Sequence, residues 1–390
     1  MLILGMLVSG CDGDTSPLLL APPDITLTDQ EKTELAAGLK PESWFLGQLK
    51  GPREKLDGDP LDPKLQFLFE QTRPAASAET FKSEMALFAT AEGRAAIRSG
   101  TDRRWTVRTA LSSDMASVED RTVKGRGGND IPIRIYRPKV ADAGALPVLV
   151  YFHGGGFVFA SIKAMDRAVR LMANEAGMIV VSVDYRLAPE TPYPAAHDDA
   201  EDAWLWVRAN AASLGGDPER LAMGGDSAGG HLTAVTSLRQ VAAGRPGPLY
   251  QLLYYPALTM ETDDGSYRLF SKGYGLDRPF IDAVIGMAFP DPATRASPEG
   301  SPLNAHSLKG MPATILVTAG FDPLRDQGRR FARRLEEDGV SVTYLNYGSL
   351  THSFLNWSGV IGEAEHAARQ TASLLGQAIR SRPGALATGN

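Results

Sequence analysis

Cysteine is nearly missing from this chain: Cys11 is the only one in 390 residues. An intrachain disulfide and every multi-cysteine zinc pattern are therefore excluded. No apolar run approaches the roughly 18 residues of a membrane span. A basic surplus is missing too. Lys and Arg total 40 against 46 Asp and Glu, a formal charge of −6. The arginines are scattered rather than gathered into a stripe, so nucleic acid is not an expected partner. H-E-x-x-H, the Walker loop and the dinucleotide G-x-G-x-x-G are all absent, and neither a metal nor a cofactor is expected. There is no internal repeat. What remains is an ordinary globular composition, 43% hydrophobic and 22% charged, which excludes disorder, collagen and a coiled coil. The length suits two or three domains, or one α/β unit with an added cap. A chain of this size buries about three quarters of its unfolded surface and needs no covalent staple.

The chain opens on a short apolar run, Met1–Val8, that leads into Val8-Ser9-Gly10-Cys11. Small residues before a cysteine resemble the lipobox of bacterial lipoproteins, and the polar segment that follows suits a tether. Against this, a basic n-region is missing and the run is only eight residues long. Two localisations stay open: a cell-envelope lipoprotein, with Cys11 as the only membrane link, or a cytoplasmic protein. Residues 1–27 are read as this signal-like segment and tether. Residues 28–104 read as helical. Thr28 and Glu31 have capping-box spacing, and Asp62-Pro63 reads as an N-cap with Pro at the first helical position. From about residue 105 alternation takes over: 118–124 and 131–136 flank Gly127-Gly128-Asn129-Asp130 as a hairpin. Buried-strand runs follow at 148–152, 178–183, 221–223, 252–255, 314–318 and 340–347. Helical stretches lie between most of them, at 166–176, 198–210, 326–337 and 363–379. This predicts a mostly parallel, eight-stranded sheet covered on both faces, an α/β fold. The core is expected in two parts, 105–260 and 311–382, with an insertion at 261–310 around a helix at 279–288, and a tail at 383–390.

Chemistry is written in three places. The run Leu221–Met223 enters Gly224-Gly225-Asp226-Ser227-Ala228-Gly229-Gly230, with helix formers after it. This is G-x-S-x-G in its meaningful context of strand, sharp turn and helix. A serine forced into a tight turn needs small neighbours at both flanks, and a helix N-terminus behind it favours an oxyanion. Directly after the strand ending at Phe152 comes His153-Gly154-Gly155-Gly156, whose glycines let backbone N–H groups point at a ligand. The order serine, acid, histidine then selects the rest. Asp322 ends the strand 313–319, and His352 follows the last strand. Asp326 is read as a solvated charge at a helix start, His366 as a surface residue, and His197, His231 and His306 as structural.

Together these strings resemble the hormone-sensitive-lipase-like bacterial esterases of the α/β-hydrolase fold. They are H-G-G-G at 153–156, D-Y-R-L-A-P-E at 184–190, G-D-S-A-G-G at 225–230, D-P-L-R-D at 322–326 and the loop at His352. The resemblance spans roughly residues 60–380. It implies Ser227, Asp322 and His352 as a catalytic triad, the N–H groups of Gly155, Gly156 and Ala228 as an oxyanion hole, and a cap built from the N-terminal helices of 28–104 and the insertion 261–310. Asp226 marks the G-D-S-A-G-G branch. Two positions depart from the family: Ser353 stands where glycine is usual, and Gln327 where glutamate is usual.

The leading expectation is a carboxylic-ester hydrolase acting through an acyl-enzyme on a small ester with a short to medium acyl chain. Phe157, Asp226, Phe354 and Leu355 are expected to line its substrate pocket. An amidase or lactonase on the same machinery remains an alternative, as does a non-catalytic small-molecule receptor. Retention of His352 speaks against the receptor. A homodimer is carried as an expectation.

Overall fold

The computed structural model of the chain describes residues 25–73, 78–111, 114–140, 144–261 and 265–381. The lipobox-like string at Cys11 and the tail 383–390 lie outside the described residues. Five helices come first: α1 (Asp29–Gly38), α2 (Glu42–Gln48), α3 (Pro63–Thr72), α4 (Ala78–Leu87) and α5 (Ala91–Arg108). The capping box forms as spaced: the Glu31 N–H donates to Thr28 Oγ1 and the Thr28 N–H to the Glu31 carboxylate. Asp62 accepts from the N–H groups of Lys64 and Leu65 at the start of α3. Between α2 and α3, β1 (Lys55–Leu56) and β2 (Asp59–Pro60) pair antiparallel; strands of two residues carry no period that a sequence could show. Helix α5 runs past residue 104, because its last turns bury Thr101, Trp105 and Val107.

The central sheet has eight strands: β3 (Ser117–Lys124), β4 (Asp130–Arg137), β5 (Leu146–Phe152), β6 (Ile179–Val183), β7 (Gly216–Asp226), β8 (Tyr250–Tyr254), β9 (Ala313–Phe321) and β10 (Val342–Thr351). Their order is β10-β9-β8-β7-β5-β6-β4-β3. The β3–β4 hairpin and the β4–β6 pair are antiparallel, and the rest are parallel. Every residue of β5 and β6 is buried, which is why those runs read as continuously apolar rather than alternating. Helices α6 (Ile162–Ala176), α7 (Ala195–Asn210) and α8 (Ala228–Ala242) connect the inner strands. The insertion between β8 and β9 carries α9 (Gly265–Leu269), α10 (Arg278–Ala288) and α11 (Pro292–Ala296). Helices α12 (Arg325–Glu337) and α13 (Gly362–Ser381) complete the cover.

Register places the functional loops. In β5 and β7, Phe152 pairs with Gly225, so the glycine loop after β5 and the serine turn after β7 leave the sheet level with each other. In β9 and β10, Phe321 pairs with Thr351 across a bulge, which sets Asp322 beside His352. All four loops open at the carboxyl ends of parallel strands, where α/β sheets form their crevice.

Candidate active site

Ser227 follows β7 and caps α8 with φ 54° and ψ −113°. A serine with positive φ is strained, and close backbone packing holds it there. A β-carbon at Gly225 would stand 2.4 Å from the Gly229 carbonyl group, and one at Gly229 would stand 1.8 Å from the Phe152 oxygen. Neither position admits a side chain. The Ser227 N–H donates to the Tyr254 carbonyl at 2.9 Å, which ties the turn to β8.

Ser227 Oγ lies 2.9 Å from His352 Nε2, and His352 Nδ1 lies 2.9 Å from Asp322 Oδ2. With Nδ1–H donating to the carboxylate, Nε2 is left bare to accept the serine proton. Asp322 is fully buried, and its second oxygen accepts the Leu324 N–H at 2.8 Å. The strand β10 reaches Thr351, so His352 sits on the end of a strand rather than midway along a loop.

The glycine loop faces this pair. Gly155 and Gly156 adopt φ 109° and 59°, which suits glycine. The N–H groups of Gly155, Gly156 and Ala228 donate to no acceptor among the described residues. Ala228 opens α8, whose N-terminus adds its positive dipole end. Behind the loop, Asp226 Oδ1 accepts from the Gly154 N–H at 2.9 Å and from the Tyr151 hydroxyl at 2.7 Å. Burial pushes the Asp226 carboxyl above its ordinary range. The Tyr185 hydroxyl donates to the His153 carbonyl at 2.7 Å, and the two rings stack at 4.3 Å.

Ser227, His352, Gly155, Gly156 and Ala228 all border one cavity of about 730 Å³, measured with its open mouth. Phe157 lines it as expected, whereas Asp226, Phe354 and Leu355 do not. Asp226 is fully buried beneath the glycine loop. Phe354 packs away from the cavity against Tyr255 and Tyr347, and Leu355 is buried beside it. Neighbourhood in sequence to His352 was a poor guide, because Phe354 and Leu355 belong to a one-turn 3₁₀ helix, Phe354–Trp357, that carries them into the core. The apolar wall comes instead from Trp105 of α5, Met260, Leu276, and Phe280, Ile281 and Val284 of α10. Leu276, Phe280, Ile281 and Val284 fall within the expected cap insertion 261–310, whereas Trp105 and Met260 fall at the two ends of the stretch 105–260 assigned to the core.

Asp326 also departs from expectation. It is half-buried, its carboxylate accepts the Ser266 N–H at 2.8 Å and its own N–H donates to the Ser266 hydroxyl oxygen at 3.1 Å, so it ties α9 to α12 rather than facing solvent. Gln327 is buried and its Oε1 accepts from both the Leu258 and the Thr259 N–H groups; a neutral amide fills the place of the usual glutamate. His197 and His231 are buried with Nε2 atoms 2.9 Å apart, while His306 and His366 are exposed. Among the described residues, no group of three or more His, Cys, Asp and Glu side chains is arranged to hold a metal ion.

A family model described as the alpha/beta hydrolase fold matches residues 149–356. The chain belongs to that family. Within it, the chain is similar to the carboxylesterase NlhH of Mycobacterium tuberculosis, at 40% identity over 68% of this chain and 83% of the relative. It is similar to the carboxylic ester hydrolase LipN of the same organism, at 37% identity over 77% and 78%. Among solved structures it resembles an alpha/beta hydrolase enzyme from the metagenome of Lake Arreo, Spain, with TM-score 0.73 and 35% identity over 81% of this chain and 96% of that one. In this α/β-hydrolase the D-Y-R-L-A-P-E string clamps the N-terminal helices to the core. Glu190 pairs with Arg98 and Arg94 of α5 at 2.8 and 2.7 Å. The hydrogen bond from Arg98 holds the Glu190 carboxyl down at about 2. Arg186 forks onto Asp199.

Proposed function

We propose that the protein hydrolyses carboxylic esters, with Ser227 as nucleophile, His352 as general base and acid, and Asp322 as the group that fixes the imidazole. One observation carries this reading: the Ser227–His352–Asp322 chain of hydrogen bonds ends at a cavity bordered by Gly155, Gly156 and Ala228, whose N–H groups are uncommitted among the described residues. Ser227 Oγ attacks the acyl carbon while Nε2 takes its proton. The oxyanion settles among the N–H groups of Gly155, Gly156 and Ala228, which are fixed before the reaction and need no reorganisation. His352 returns the proton to the leaving alcohol, and water then frees the acyl group from Ser227 by the same two steps in reverse order.

The acyl chain is short to medium, roughly two to eight carbons. Support comes from the wall: α10 lines the cavity with Phe280, Ile281, Val284 and Ile285, and a β-carbon at Gly156 would meet Val284 at 3.2 Å, so this wall rests on the glycine loop. Each buried methylene adds about 0.8 kcal/mol until the space is filled. A panel of p-nitrophenyl esters from C2 to C16 tests this. The expected kcat/KM rises to a maximum at or below C8 and falls beyond it; equal or higher values at C12–C16 would contradict the capped pocket. The reading extends to a lipid on Cys11 in an envelope-located protein and to a homodimer. The first is supported by the Val8-Ser9-Gly10-Cys11 string and checked by the mass of the mature N-terminus, the second by the mass in solution.

A further inference from the structure

Ser353 directly follows the base, lines the cavity and holds φ 61°, ψ 29°. Backbone of that kind favours glycine, and a serine there carries strain that the turn itself does not require. Its hydroxyl does not cap the 3₁₀ turn that it opens, and among the described residues it makes no hydrogen bond. The other hydroxyls of the cavity wall, and the imidazole, are hydrogen-bonded. Ser227 and His352 hold each other, Thr259 accepts the Glu261 N–H at 3.0 Å, and the Tyr267 hydroxyl donates to Asp282 at 3.4 Å. Ser353 therefore supplies the one free side-chain hydroxyl of an otherwise apolar lining.

Reaction geometry decides which part of a substrate meets it. His352 Nε2 must hand its proton to the oxygen of the departing alcohol, so the alcohol lies along His352 and leaves past it. Ser353, the next residue in the chain, lines the same cavity beside His352. We propose that Ser353 is a specificity-determining residue that hydrogen-bonds the alcohol portion of the ester, and that the preferred substrates carry a hydroxyl or similar polar group on that portion, close to the ester oxygen. The proposal rests on the esterase reading and names the substrate class of that same site. A site that hydrogen-bonds a substrate hydroxyl discriminates against the analogue that lacks it, because its own polar group is then left unpaired.

The test compares 2-hydroxyethyl butyrate with propyl butyrate, esters of nearly equal size. The ratio of their kcat/KM values is measured in the wild type and in Ser353→Gly and Ser353→Ala. Both substrates see the same preparation, so an incompletely folded variant does not distort the ratio. The ratio is expected to fall about three- to ten-fold in both variants, the loss of one neutral hydrogen bond. Glycine removes the strain and alanine keeps it, so an equal fall assigns the effect to the hydroxyl. A ratio within two-fold of wild type in both variants would overturn the proposal. So would a fall in the glycine variant alone, which would assign the effect to the backbone. If the wild type hydrolyses the p-nitrophenyl panel but neither butyrate, this proposal alone fails; if it hydrolyses none of them, the esterase reading fails and this one with it.

Discussion

The floor and the roof of the cavity are built on different physics. The floor is backbone: β5 and β7 deliver the glycine loop and the Ser227 turn, and absent β-carbons let the strands, loop and α8 meet at distances no side chain survives. Its two buried carboxylates are hydrogen-bonded, Asp322 to His352 and Asp226 to Tyr151 and Gly154. The roof is side chains. Trp105 reaches the cavity from α5, and Phe280, Ile281 and Val284 reach it from α10. A few polar ties secure that cover, such as Arg73 and Tyr274 on Glu54, and Asp326 on Ser266. A rigid floor fixes the reacting atoms, while a roof of exchangeable apolar groups sets what fits above them. Changes to the floor should therefore cost rate, and changes to the roof should alter selectivity.

The largest effect tests the floor. Ser227→Ala should lower kcat about 10⁶-fold, as removal of an activated nucleophile does, with an unchanged circular dichroism spectrum; steady-state turnover near wild type in the purified variant would refute the assignment. Next, Asp322→Asn should cost about 10⁴-fold by favouring the wrong imidazole tautomer. Asp326→Asn sharpens the contrast. It loosens α9 from α12 in the roof, so KM should move more than kcat, and the loss should stay below about ten-fold, the scale of one weakened hydrogen bond. If the two asparagine variants exchanged places, the acid would sit one helical turn further on.

The smallest effect probes the seam between the regions. His197 and His231 lie between α7, α8 and the roof residue Phe289. Arg239, Glu299, Asp198 and Tyr193 are the charged and titratable groups around them. Burial disfavours the imidazolium in both, and His231 is pushed down to about 4. Their unfolded-state value is about 6.5, so between 6.5 and 4 the unfolded chain binds more protons than the native one. Stability is thus full above pH 6.5 and falls as the pH drops toward 4, by at most about 1.4 kcal/mol per pH unit for each histidine. Urea midpoints at pH 7.5 and 5.0 should show this loss in the wild type and a smaller one in His231→Gln. An equal loss in both would remove His231 from the account.

The same division explains what the sequence made legible. The floor lies in short contiguous strings, because a turn that excludes β-carbons leaves glycines at fixed offsets around its serine. Asp322 and His352 could be placed from strand ends and chain order. The roof has no such grammar. Trp105, Met260 and Val284 converge from three segments, and nothing local separates them from ordinary core residues. Phe354 and Leu355 were misplaced for that reason: adjacency to His352 said nothing of the 3₁₀ turn that buries them. Asp326 reads as a first-turn charge until Ser266, 60 residues earlier, is seen against it.

The central claim is that Ser227 alone forms the covalent acyl-enzyme. Labelling with an alkyl p-nitrophenyl phosphonate, followed by peptide mass spectrometry, tests it most directly, because the phosphonate captures whichever side chain attacks. The account predicts one adduct per chain, on the peptide carrying Ser227, with activity lost in proportion to labelling and no adduct on Ser227→Ala. An adduct on any other residue at equal stoichiometry, or undiminished labelling of Ser227→Ala, would contradict it.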